Sequence, residues 1–130
     1  MGIDYNNRSF RGVSNSPGGD VDADTVFHYR QQGDVVWATY EGGAVRFGTL
    51  TALVLPDGRL DMRYQQVAAN GAFKTGRCLS VPEVLPDGRI ALYESWEWSE
   101  GGVGGGHSRV EEIPSEDPRA GPGVRVSPSA

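Results

Sequence analysis

A chain of 130 residues is long enough for one domain with a buried core. Its 17 acidic and 12 basic side chains leave a formal charge of −5. Lys74 is the sole lysine and there is no basic run, which argues against a nucleic-acid surface. A single cysteine, Cys78, excludes an internal disulfide.

The first eight residues are polar and carry no apolar leader, and nowhere do ~18 apolar residues run together. The expectation is a soluble cytoplasmic protein with no membrane partner. Residues 9–15 form a weakly patterned first strand, followed by the loop Ser16-Pro17-Gly18-Gly19-Asp20. Residues 24–32 read as a second strand, 35–41 as a third and 44–55 as a fourth. Leu60–Ala68 is the fifth, 72–84 the sixth, 90–99 the seventh and about 107–113 the eighth. Glycine, at 19 residues, supplies the turns between them, and no window carries a helical period. The predicted fold is therefore all-β: a single eight-stranded antiparallel up-and-down barrel over residues 1–113, which removes its sheet edges by closing. Residues 114–130 hold four prolines and almost no apolar bulk. Such a segment cannot offset its ordering entropy, so a disordered tail is expected there.

Register can be read from the turns. Val-Leu-Pro-Asp-Gly-Arg occurs twice, from Val54 and from Val84. Pro-Asp-Gly suits a type I turn with glycine in the left-handed region, a three-residue loop that pairs Leu55 with Arg59 and Leu85 with Arg89. Ala68 to Ala72 can close in the same way. Strands four to seven then share three inward rows: Val54–Leu60–Ser80–Glu94, Ala52–Met62–Cys78–Trp96 and Leu50–Tyr64–Gly76–Trp98. A two-residue Asp-Gly loop would turn Arg77 and Leu79 inward instead, but it leaves proline where an N–H is needed. On the first register a Gly42-Gly43 turn brings Trp37 opposite Gly48. Strand two stays open, with either Phe27 and Tyr29 or His28 and Arg30 inside.

The motifs narrow the chemistry. Asp20-Val-Asp22-Ala-Asp24 begins like a calcium loop, but Thr25 and Gln31 stand where Gly and Glu are needed. His28, His107 and Cys78 lack metal-site spacing, so neither metal nor cofactor is expected. The Gly101 to Gly106 stretch lacks a phosphate-loop pattern and opens no helix. Cys78, placed beside Met62 and Trp96, reads as a small core residue; only His28, in one register, could activate it. Glu94 is the exception to an apolar interior. Burial of a carboxyl among tryptophans requires a partner or a use, and desolvation would raise its pKa.

Phe27-His28-Tyr29, Tyr40-x-Gly42-Gly43, Asp61-Met62-Arg63-Tyr64, Thr75-Gly76-x-Cys78-x-Ser80-x-Pro82-Glu83 and Glu94-x-Trp96-x-Trp98 together resemble a family of small bacterial proteins often labelled N-acetylglutamate synthase. The resemblance covers about residues 3–113. It implies a single barrel similar to lipocalin-like or avidin-like folds, and an activity is not among its implications.

Three functions fit these residues. In the first, the barrel binds a small, partly apolar or aromatic molecule among Trp37, Met62, Cys78, Trp96 and Trp98, with polar contacts from Gln66, Ser80 and Glu94. In the second, a cofactor-free isomerase or cyclase uses Glu94, with Tyr64, for acid–base chemistry. The third is a structural or interaction module with a filled core.

Overall fold

A computed structural model describes residues 2–114 and 117–119; most of the segment expected as a tail lies outside the described residues. The strands are β1 (Arg8–Asn15), β2 (Val26–Gln32), β3 (Val35–Gly42), β4 (Val45–Val54), β5 (Leu60–Ala68), β6 (Phe73–Val84), β7 (Ile90–Glu100) and β8 (Gly105–Glu112). Each pairs antiparallel with the next, and β8 pairs back to β1, closing the barrel. The all-β, up-and-down architecture expected from the alternating pattern is the one observed. β2 starts two residues later than expected because Asp22 to Thr25 form a turn, with the Thr25 N–H on the Asp22 carbonyl at 3.1 Å.

Both Pro-Asp-Gly turns close as three-residue loops. Leu55 N–H donates to the Arg59 carbonyl at 2.8 Å and Leu85 N–H to that of Arg89 at 2.7 Å, with Gly58 and Gly88 at φ near +90°. Ala68 N–H and the Ala72 carbonyl do the same at 2.8 Å. The three inward rows across β4–β7 follow pair by pair. Arg77 accordingly faces outward, beside Glu97, and the two-residue alternative is excluded. In β2 it is Phe27 and Tyr29 that point inward, both nearly fully buried.

Trp37 is a correction. The β3–β4 turn is centred on Gly43 and Ala44, with Gly42 opposite Val45 and a bulge before Tyr40 meets Gly48. That shift by an odd number of residues reverses every side chain on β3. Val36, Ala38 and Tyr40 face the core, while Trp37 pairs with Thr51 on the outer surface and is 38% exposed. The displaced glycine has a packing role. Gly42 sits at φ +120°, and a Cβ there would lie 1.9 Å from the Asp24 carbonyl oxygen.

The barrel has two unlike ends. The end carrying the Pro-Asp-Gly turns is filled by Val36, Leu60, Ile90, Leu92 and Val110, all at most 2% exposed. Burial of such side chains is worth roughly 1.5–3 kcal/mol each. The N-terminal segment packs there too: Tyr5 is buried, its ring 6.1 Å from that of Tyr29. The other end is crossed by the long connection between β1 and β2.

Candidate functional site

Beneath that connection lies a cavity lined by inward residues of several strands. Glu94 lies at its floor. Period-two alternation on β7 and the register across β6 and β8 put it between Ser80 and Ser108. Both hydroxyls donate to it: Ser108 Oγ to Oε1 at 2.9 Å and Ser80 Oγ to Oε2 at 3.3 Å. The carboxyl is 8% exposed. Burial outweighs the two hydrogen bonds and pushes its pKa from an ordinary 4.5 up to about 7. Near neutral pH it therefore populates both protonation states. The Tyr29 phenol, whose pKa is raised by burial and then by the Glu94 charge, has a buried hydroxyl with no hydrogen-bond partner among the described residues.

The walls are aromatic and soft. Trp96 and Trp98 lie 5.7 Å apart between ring centroids, and Tyr64 meets Trp98 edge-on at 5.6 Å. The ring of Tyr64 occupies the space over Gly76, where a Cβ would lie 2.4 Å from its hydroxyl oxygen. That hydroxyl donates to the Glu97 carbonyl at 3.2 Å, so it is engaged at the rim and does not reach Glu94. Cys78 contacts the Ser80 hydroxyl at 3.6 Å, and burial together with the Glu94 charge pushes its thiol up. His28, on the outer side of β2, bonds Ser9 at 2.9 Å and offers that thiol no activation.

The mouth is closed by the loop after β1. Asp20 reaches in from it and receives two donors on Oδ2: Gln66 Nε2 at 3.0 Å and Lys74 Nζ at 2.7 Å. Gln66 in turn accepts from the Tyr40 hydroxyl at 2.9 Å. Both tryptophans hold the loop region as well. Trp96 Nε1–H donates to Asn15 Oδ1 at 3.0 Å, and Trp98 Nε1–H to the Gly18 carbonyl at 3.1 Å. With the loop shut the space open to the centre of a water molecule is about 50 Å³. An apolar cavity of ~150 Å³ admits benzene. With the loop in this position the enclosed part of the cavity accommodates a few waters.

Among the residues singled out from the sequence, Met62, Tyr64, Gln66, Cys78, Glu94, Trp96 and Trp98 line this cavity. Ser80 stands behind Glu94 and orients it, and Trp37 lies outside the barrel.

The family described as avidin-like protein matches residues 3–113. The chain belongs to the avidin-like protein family. No curated protein and no solved structure matches it. Membership agrees with the avidin-like side of the expected resemblance, and nothing in the comparisons carries the N-acetylglutamate synthase label. Nor do the described residues include a helix whose N-terminus could hold a coenzyme A pyrophosphate.

The avidin-like barrel also contains site residues that sequence reasoning missed. Ser108 could have been found, because Val110 marks the inward face of β8. Asn15 was hidden by a bulge at Val13, which switches the face that β1 presents. Asp20 and Lys74 meet across a loop whose path no local pattern records.

Proposed function

We propose that this avidin-like barrel binds a small organic molecule with a partly apolar or aromatic body. The body lies among Trp96, Trp98, Tyr64 and Met62 and directs a hydrogen-bonding group toward Glu94. The observation that carries this reading is the combination of one buried, titratable carboxyl with aromatic walls under a mouth closed by loop contacts alone. Ligand sites join a largely apolar lining to a few convergent polar groups in this way. Because the loop covers the mouth, binding is coupled to displacement of the β1–β2 loop.

Tryptophan fluorescence titration and thermal-shift screening against small aromatic compounds test the proposal. Saturable change in the Trp96 and Trp98 emission, lost when Met62 is replaced by Trp to fill the cavity, is the expected result. Absence of response to every compound class would instead favour a structural module with a filled core. The pKa of Glu94, near 7, favours a second reading in which the same pocket moves a proton on its ligand. Glu94→Gln separates the two: loss of turnover with retained binding indicates catalysis.

A further inference from the structure

Asp20 is a carboxylate presented to the cavity from outside the barrel wall, and it is held as a bound carboxylate would be. Its Oδ2 takes a charge-assisted hydrogen bond from Lys74 and an amide hydrogen bond from Gln66. Those two donors are directly opposite one another on β6 and β5, in the inward row immediately above Tyr64 and Gly76. They belong to the wall, fixed by register, whereas Asp20 belongs to a connection that includes Pro17, Gly18 and Gly19. Lys74 is the chain's only lysine. Its ammonium lies 5.1 Å from the centroid of the Trp98 ring, and its side chain is only 20% exposed. A half-buried cation on an aromatic face, joined to an amide donor at a pocket mouth, is a receptor for a carboxylate.

We propose that Lys74 and Gln66 form a carboxylate-binding subsite, filled in the closed state by the chain's own Asp20. The ligands it selects are organic acids whose apolar or aromatic body occupies the cavity below. This rests on the ligand-binding reading above and specifies its substrate class. On binding, the acid group of the ligand displaces Asp20 from Lys74 and Gln66, and the loop that carries Asp20 lifts from the mouth. The exchange replaces one carboxylate by another on the same donors, so the cation is never left buried and unpaired, which would be the costly state. Lifting the loop also widens the cavity below for the body of the acid. Asp20 acts as an internal competitor, and the apparent affinity of the acid is reduced by the fraction of chains in which the subsite is vacant.

Calorimetric titration of the full chain at pH 7.5 tests the subsite with matched pairs: phenylacetate and phenylacetamide, 3-phenylpropionate and 3-phenylpropionamide, indole-3-acetate and indole-3-acetamide. The acids are expected to bind about tenfold or more tightly than their amides, as one charge-assisted contact provides. Asp20→Ala should widen that preference at least fivefold, and Asp20→Asn, which keeps the side chain's shape, should widen it too. Lys74→Met should abolish the preference while amide binding persists, with Lys74→Gln as a second variant should the first fold poorly. Equal binding of acids and amides, unchanged by Asp20→Ala, would overturn the subsite and leave the barrel's ligand-binding role standing. Failure of every acid and amide to bind both wild type and Asp20→Ala would overturn the binding reading, and the subsite with it.

Discussion

Replacement of Glu94 by glutamine should change the protein's stability in a way that depends on pH with a defined sign. In the folded chain the carboxyl titrates near 7, against 4.5 ordinarily. Between those values the folded state binds the proton and the unfolded state has released it. Stability therefore falls as pH rises through that window, and it levels off above the folded pKa. A displacement of that size corresponds to about 3 kcal/mol, at 1.36 kcal/mol for each pH unit. Glutamine has the same shape and stays neutral. Ser80 and Ser108 can reorient, one hydroxyl donating to its carbonyl and the other accepting from its amide. At pH 4 the variant and the wild type should then be of similar stability. By pH 8 the variant should be the more stable by about 3 kcal/mol, an upper value because the site relaxes when charged. Urea denaturation of both proteins at intervals from pH 4 to pH 9 isolates this group, since all other titrations cancel in the difference. A difference that is flat with pH, or one in which the wild type gains on the variant as pH rises, would refute the assignment of Glu94 as a buried, destabilised carboxylate.

Three further outcomes follow from the same geometry. Ser108→Ala removes the shorter of the two hydrogen bonds to Glu94. It should move that carboxyl's titration above 7 and cost about 1–3 kcal/mol more at pH 8 than at pH 5, measured by the same urea series. Gly48→Ala places a methyl group 2.3 Å from the Tyr40 ring and should destabilise by about 1–3 kcal/mol in chemical denaturation; an unchanged midpoint would mean that Tyr40 does not lie over Gly48. Trp37→Ala should alter stability by less than about 0.5 kcal/mol, against about 3–5 for Trp96→Ala, because the first ring is on the outer surface and the second is in the cavity wall.

The inward rows of β4 to β7 were legible in the sequence because two identical turns anchor the register at one end of the barrel. From Leu60 onward, simple alternation carries it through Met62 and Tyr64, and the pairing meets no irregularity until Thr75. Glu94 was recognisable for the same reason. One further step along those rows places Gln66 opposite Lys74, so the same alternation marks the lysine as inward-facing. What escaped were positions beyond bulges and on loops. A bulge adds one residue and exchanges faces, and neither Val13 nor the Gly42 region carries a local signature for it. Gly42-Gly43 has the composition of a tight turn. The left-handed conformation at Gly42 instead seats it under the Asp24 carbonyl, a contact with a residue far away in the chain. Tertiary approach of that kind sets the direction of Trp37, and it also brings Asp20 onto Lys74.

The division between the barrel's ends bears on which functional reading the molecule supports. At the filled end, apolar side chains are almost completely buried and Tyr5 is drawn in against Tyr29. This is what a stable core requires, and it is sufficient. At the other end stand a carboxyl held up near 7 by burial and an ion pair that ties a loop over the opening. Neither of these is the most stable choice for its position. An apolar residue of similar volume in place of a buried ionisable group is often neutral or stabilising. A module whose sole task was to keep its shape would have no physical use for that arrangement. Cost concentrated where aromatic walls, a titratable floor and a displaceable loop converge is the pattern of a site adapted to a ligand. The filled end supplies the rigidity on which the proposed ligand site depends.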